Sequence, residues 1–223
     1  MFRGKFLLSA MRPQVSFVSA DIASVNSGTG VFTLSSSYKP GDLVFMWTVS
    51  TNNDSTFPAE STPSGWARNN NITNSDNEFY SRIQTYYKVL SATDPGGSVT
   101  VSNGNFGRGA RTFSFRGNRP FRSATVFDSS IVFVNTNPPE VATTTLTSKT
   151  GSKPIVAIGT AASASGTQVV TTNLASGDLF PSEPAFYSAY TIFNPNSSLN
   201  EVNIDQTDTA NFNHNSIQYF TLG

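Results

Sequence analysis

The sequence predicts an all-β protein, folded as a single antiparallel β-sandwich with jelly-roll-like topology. Short apolar or alternating segments follow one another along the chain, and none of them has the period of a helix. Clusters of Pro, Gly and Asn separate these segments at intervals of about ten residues, which is typical of a sandwich or barrel. With 18 Phe in 223 residues, the chain also carries enough apolar bulk for a core, which excludes global disorder.

The composition of a strand recurs, in chain order, at residues 15–19, 31–34, 42–50, 82–90, 98–102, 110–116, 131–134, 142–147, 154–160, 186–193, 201–204 and 216–222. Alternation is clearest at 111–116, where Phe113 and Phe115 share one face and polar residues the other, so we expect this strand to be half buried. The apolar run at 43–49 is continuous instead, which predicts a central strand covered on both faces.

Two long polar stretches, 51–79 and 161–184, predict functional or ordered loops. No internal repeat of fixed period is detectable. We predict one sandwich domain at 13–223, preceded by an N-terminal arm at 1–12 whose apolar part is too short for a secretory signal. Because no stretch approaches the roughly 20 apolar residues of a membrane helix, we expect a soluble protein without membrane insertion.

The net charge is zero, but the charges are unevenly distributed, since no basic residue follows Lys153. Segments of opposite sign attract each other within a subunit or between identical subunits in a ring, although local solubility is an equally good explanation. A neutral chain lacks the basic excess that phosphate binding normally requires, so we expect no nucleic-acid partner.

Reactive side chains are scarce. The chain has no Cys, which fits folding in a reducing cytosol, and His214 is its one His, predicted to lie in a turn. A metal site or a Ser–His nucleophile would lack partners, so we predict no catalytic residue, no metal ligand and no cofactor. A pair of loop carboxylates, as in glycoside hydrolysis, is the remaining route to an enzyme, and no motif supports it.

The densest basic segment alternates Arg with Phe, a combination that favours a protein interface, with a solvated strand edge as the alternative. Together with the N-terminal arm it gives our candidate protein interface: Phe2, Arg3, Lys5, Phe6, Arg108, Arg111, Arg116, Arg119 and Arg122. Aromatic rings also stack on sugars. Trp66 and Tyr80 are therefore candidate glycan contacts, with core packing as the alternative.

Motifs occur in a distinctive order, which is Pro40-Gly-Asp42-Leu-Val-Phe45, Pro63-Ser-Gly-Trp66, Tyr86-Tyr-Lys88-Val and Phe113-Ser-Phe-Arg-Gly117. In this order they resemble a group of β-sandwich structural proteins of tailed bacteriophages, over residues 15–117. The resemblance implies a non-enzymatic virion component of the tail, fibre, baseplate or head decoration, assembled in the host cytoplasm. Its expected partners are further copies of itself and other virion proteins.

We therefore expect a structural component of a tailed-phage virion that acts through protein–protein contacts. The first alternative is a carbohydrate-binding receptor-recognition module of a phage adhesin, in which Trp66 and Tyr80 contact a host surface glycan. The weaker alternative is a polysaccharide hydrolase.

Overall fold

The structure, a computed structural model, describes residues 14–23, 28–52, 62–76, 79–104, 107–134, 141–146, 153–163, 169–174, 176–179, 186–193, 202–207 and 213–222. Every regular element within these residues is a β-strand, and none is a helix. The prediction of an all-β fold is thus confirmed. The predicted division into an arm at 1–12 and one domain at 13–223 stays a prediction.

The first half of the chain, residues 14–117, contains β1 (Val15–Ala23), β2 (Gly28–Thr33), β3 (Leu43–Asn52), β4 (Ala67–Asp76), β5 (Phe79–Val89), β6 (Ser98–Gly104) and β7 (Gly107–Gly117). The second half, residues 124–222, contains β8 (Ala124–Val134), β9 (Val141–Leu146), β10 (Ile155–Ser163), β11 (Val169–Thr172), β12 (Ser176–Leu179), β13 (Phe186–Phe193), β14 (Val202–Thr207) and β15 (Asn213–Leu222). A linker at 118–123 joins the halves.

All described strand pairs are antiparallel. The strands form two large sheets, ordered β1-β7-β3-β5-β4 and β8-β15-β10-β13-β12, and two small sheets, ordered β2-β6 and β9-β14-β11. The apolar run at 43–49 lies in β3, in the centre of its sheet, as predicted. His214, predicted to lie in a turn, instead belongs to β15, and this prediction was wrong.

The prediction of loops at 51–79 and 161–184 was also wrong in part, because β4, β11 and β12 lie within these stretches. Each of these strands is the last one of its sheet. An edge strand pairs on one side only, so polar side chains remain solvated there and the apolar pattern of a central strand is not required. Sequence patterns therefore miss such strands most easily.

The two large sheets pack face to face as a β-sandwich. Their shared core contains Leu43, Phe45, Trp47, Phe113 and Phe115 from the first sheet, Ala124, Val156, Ile158, Phe220 and Leu222 from the second, and Phe121 from the linker. Across the same interface the Gln218 amide donates a hydrogen bond to the Thr85 hydroxyl over 3.2 Å, which satisfies a buried polar group.

The small sheets cover the outer faces of the large ones. Val99 and Val101 of β6 pack against Val44 and Met46 of β3, and Val202 and Ile204 of β14 pack in the same way against β10 and β15. The large sheets are therefore covered on both sides. This explains why the expectation of a half-buried β7 was wrong, because its polar face is buried too, at 2% exposure for Thr112 and 0% for Ser114.

The two halves share one strand order. The strands of the second large sheet, in the order β8, β15, β10, β13 and β12, correspond one by one to β1, β7, β3, β5 and β4 of the first. In the small sheets, β9 and β14 correspond to β2 and β6. Only β11 has no counterpart among the described strands. Each half also has a bulge in its first strand, after Phe17 in β1 and after Val126 in β8.

The counterparts contact each other reciprocally across the sandwich. The Tyr87 ring lies edge-on to Phe220 with centroids 5.8 Å apart, and the Tyr190 ring lies edge-on to Phe115 at 5.5 Å. Tyr190 is the counterpart of Tyr87, and Phe220 of Phe115, by strand register. The halves are therefore related by an approximate twofold axis, in the manner of an isologous dimer joined into one chain.

This symmetry predicts matched stability losses. We expect Phe115→Leu and Phe220→Leu each to lower the free energy of unfolding by about 1–2 kcal/mol, because each removes two edge-to-face contacts from the shared core. Urea unfolding monitored by circular dichroism measures this. Val31→Ala is the control, since Val31 is 63% exposed. A loss at Phe115 without one at Phe220 would contradict the correspondence.

Candidate functional site

A buried carboxylate organises the turn before β3. Asp42 is 2% exposed and accepts hydrogen bonds at Oδ1 from Arg116 Nε over 2.8 Å and at Oδ2 from an Arg116 terminal nitrogen over 2.7 Å. The Lys39 backbone N–H donates to Oδ2 over 2.8 Å. The hydrogen bond to Asp42 raises the pKa of Arg116, and this effect outweighs partial desolvation, which lowers it. This predicted interface arginine is thus bound to a turn of its own chain.

The linker packs directly on this turn. Gly41 has φ +83°, and a Cβ there would lie 2.3 Å from Cβ of Pro120. The Phe121 backbone N–H donates to the Gly41 carbonyl over 2.9 Å, and the Gly41 N–H donates to the Leu90 carbonyl over 2.8 Å. Only glycine satisfies both the positive φ and the close approach.

A second ion pair holds the turn after β5. Lys88 Nζ donates to Asp94 Oδ1 over 2.6 Å, while the Ser91 backbone N–H and hydroxyl donate to Oδ2 over 2.6 and 2.8 Å. Desolvation of Asp94 opposes its ionisation, but the hydrogen bonds from Lys88 and Ser91 and the Lys88 charge outweigh it, so the pKa of Asp94 is lowered. Gly65, at φ +78°, leaves room for the Lys88 ammonium.

These contacts explain the motifs on which the phage resemblance rests. Asp42 and Arg116 pair with each other, Lys88 closes a turn, and Trp66 is 7% exposed within the core beside β6. The described residues of the motifs are therefore turn and core residues. They account for the local fold.

A cavity of about 620 Å³ opens at the end of the sandwich, where the linker faces the start of β10 and the end of β15. Phe121, Pro154 and Leu222 form its apolar floor. Arg119, Arg122 and Lys153 line it as well, and all three are exposed. We call this cavity, lined by these six residues and their neighbours, the basic pocket.

The basic pocket combines one sign of charge with an apolar surface. Among the described residues that line it, none is acidic. Charges of one sign at the rim of a low-dielectric cleft raise the potential within it and attract groups of the opposite sign. An apolar centre with a charged rim is also the usual arrangement of a protein interface. The arrangement suits an acidic or amphipathic partner.

The structure brings Arg119 and Arg122 of the predicted interface together in this pocket. Phe2, Arg3, Lys5 and Phe6 lie outside the described residues. Arg108 and Arg111 lie on β7, and their side chains are not described. The interface role of all these residues stays a prediction.

The candidate glycan contacts are not brought together as one described site. Trp66 packs in the core, the alternative that the sequence also allows, and only borders a groove of about 280 Å³ beside β6. Tyr80 lies on β5, and its side chain is not described. A glycan contact of Trp66 or Tyr80 stays a prediction.

The sequence did not single out Lys153 or Phe121 as site residues. Lys153 lies far from Arg119 in the chain and reaches the basic pocket because β10 begins beside the end of β15. Phe121 looks like one of many Phe, yet it is the buried residue of the linker. The only available signal was the clustering of Arg and Pro between two strands.

The described residues lack the features of two other kinds of site. They contain no cluster of His, Asp or Glu arranged to hold a metal ion. They also contain no helix of the length and apolarity needed to cross a membrane.

Comparisons with protein-family models, with curated proteins and with solved structures found no match.

We expect Arg116→Met to lower the free energy of unfolding by about 2–3 kcal/mol, because it leaves the buried Asp42 carboxylate without its charged partner and with only the Lys39 N–H as a donor. Thermal and urea denaturation measure the loss. Arg122→Met is the matched control, since Arg122 is exposed, and it should change stability by less than about 0.5 kcal/mol. If adding Asp42→Leu to Arg116→Met restores stability, the explanation is supported. Equal losses of stability in Arg116→Met and Arg122→Met would refute it.

The lowered pKa of Asp94 predicts a pH-dependent contribution to stability. A carboxyl group with a lowered folded-state pKa stabilises the fold above its unfolded pKa of about 3.9, and this contribution is lost as the pH falls through the folded-state value. We expect Asp94→Asn to cost about 1 kcal/mol at pH 7, and we expect this cost to shrink as the pH falls through the folded-state pKa of Asp94. Denaturation of both proteins across this range measures the difference, with Ser36→Ala as a pH-independent control.

Proposed function

We propose that the protein is a non-enzymatic structural component of a tailed-phage virion, acting by protein–protein contact in an oligomeric tail, fibre, baseplate or head-decoration assembly. The basic pocket carries this proposal. Its exposed Arg119, Arg122 and Lys153 surround an apolar floor, which is the arrangement of a protein-binding surface. The order of the motifs supports the phage context by resemblance.

The proposal extends to a jelly-roll-like topology in each half. In the first half β1 neighbours β7, β2 neighbours β6 and β3 neighbours β5. In the second half β8 neighbours β15, β9 neighbours β14 and β10 neighbours β13. Such nested pairing is what results when one long antiparallel ribbon is rolled up into two sheets, and it supports a jelly-roll.

The charged rim and the apolar floor of the basic pocket make different contributions to binding, and together they favour assembly. Charges at a rim steer and orient a partner, whereas apolar area at the centre supplies most of the affinity. The rigid sandwich beneath contributes preorganisation, since little side-chain entropy is lost when a partner meets residues already fixed by packing. The carbohydrate-binding and hydrolase alternatives have no comparable support among the described residues.

Light scattering tests the proposed contact surface. We expect the wild-type protein to form a homo-oligomer, and the combined variant Arg119→Ser, Arg122→Ser and Lys153→Ser to lower the oligomeric fraction by about half or more, because the rim charges are lost. Arg68→Ser is the control, since Arg68 is exposed on β4 and outside the pocket. The proposal would be overturned if the wild type, the combined variant and Arg68→Ser all had the same molar mass in solution and the protein were absent from purified phage particles.

A further inference from the structure

The groove beside β6 forms a cavity of its own. It has a volume of about 280 Å³ and lies between the turn before β4, the turn after β5 and the first residues of β6. We call it the β6 groove. Its described lining residues and those of the basic pocket do not overlap. An inference about the β6 groove therefore goes beyond the proposed function and does not depend on it.

Hydroxyl groups form the accessible surface of the β6 groove. Every exposed residue described in its lining carries one, and these residues are Ser64, Thr93, Ser98 and Thr100. A hydroxyl donates one hydrogen bond and accepts others, so this surface suits a partner that does both. Leu34, Trp66 and Val99 add buried apolar surface to the lining, and Trp66 is 7% exposed.

The charges in the β6 groove cancel. Lys88 and Asp94 are the charged residues of its described lining, and they pair with each other over 2.6 Å. An ammonium group has three donors, of which Asp94 accepts one. Gly65 leaves room beside the ammonium, since a Cβ there would lie 3.1 Å from Lys88 Nζ. Lys88 can therefore donate to a ligand while the groove keeps no net charge.

Backbone hydrogen bonds fix the walls of the β6 groove. The Trp66 N–H donates to the Pro63 carbonyl over 3.0 Å and closes the turn before β4. The Gly97 N–H donates to the Asp94 carbonyl over 2.9 Å, and the Gly97 carbonyl accepts from the Leu34 N–H over 2.9 Å. Walls that are ordered before binding lose little entropy when a ligand is bound, which favours binding even by a small ligand.

We propose that the β6 groove binds a neutral, hydroxyl-rich ligand of the size of one sugar ring. An ionic ligand finds no net opposite charge there, because Lys88 and Asp94 neutralise each other. An apolar ligand would bury the hydroxyls and the ammonium without hydrogen bonds, which is costly. The volume of about 280 Å³ lies just below the usual range for drug-sized ligands, so it fits a single ring. Of the two candidate glycan contacts, this inference uses Trp66 alone.

Nuclear magnetic resonance titration of the isotope-labelled full chain tests the proposal. The neutral probes are methyl α-glucoside, methyl β-galactoside and inositol, and the control probes are sodium acetate, which is ionic, and benzyl alcohol, which is largely apolar. We expect at least one neutral probe to shift the backbone amide signals of Ser64, Ser98 and Thr100 saturably, with a dissociation constant on the order of 1–10 mM. The control probes should produce no saturable shift of these signals.

Matched variants locate the binding. Lys88→Met should weaken binding of the neutral probe about tenfold, because it removes a charged donor, whereas Lys39→Met, at an exposed lysine outside the groove, should change it less than about twofold. Thr100→Val removes one hydroxyl and keeps the shape of the side chain, and it should weaken binding about fivefold. Circular dichroism checks that each variant is folded.

Other outcomes overturn the proposal. It fails if none of the three neutral probes shifts these amide signals, or if acetate or benzyl alcohol shifts them as strongly. It also fails if Lys39→Met weakens binding as much as Lys88→Met. Should Lys88→Met not fold, unchanged binding in Thr100→Val rejects the β6 groove as the site. The light-scattering comparison tests the basic pocket separately, so the two proposals can fail independently.

Discussion

Each large sheet has apolar side chains on both faces, and the need to cover all of these faces is the constraint on which the rest of the structure depends. Side chains alternate along a strand, so β3 directs Phe45 into the shared core and Val44 and Met46 to the other side. Removing one large apolar side chain from water contributes about 1.5–3 kcal/mol. The two large sheets cover each other's inner faces. The small sheets must therefore cover the outer faces.

Polar contacts act mainly at the turns, where they fix geometry. The ion pair of the buried Asp42 with the part-exposed Arg116 gains little net stability over an apolar pair of similar volume, because the Asp42 carboxylate loses its hydration. Breaking it is costly for the same reason. The pair, together with Gly41, fixes the entry into β3 and the path of the linker across it. Motif residues that look functional in the sequence thus hold the end of the sandwich together.

The linker between the halves connects the fold with the candidate site. It packs on the turn before β3 and also lines the basic pocket. Pro154 and Leu222 of the second half contribute to the apolar floor of this pocket, with exposed cations around it. A site of this kind arises from connectivity, with no need for a dedicated loop or motif. This is why residues distant in sequence, such as Arg119 and Lys153, meet there.

The sequence by itself determined the all-β class, the central place of β3 and most strand positions, because alternation, β-branched and aromatic content and turn residues are local signals. It also identified Arg119 and Arg122 as a basic segment. Only the tertiary structure decided that β4, β11 and β12 are edge strands, that the polar face of β7 is buried and that Arg116 pairs with Asp42. The internal correspondence escaped a search for a fixed period because the spacing between counterparts changes from strand to strand. Pairing register and burial depend on contacts between distant segments, and local patterns do not contain that information.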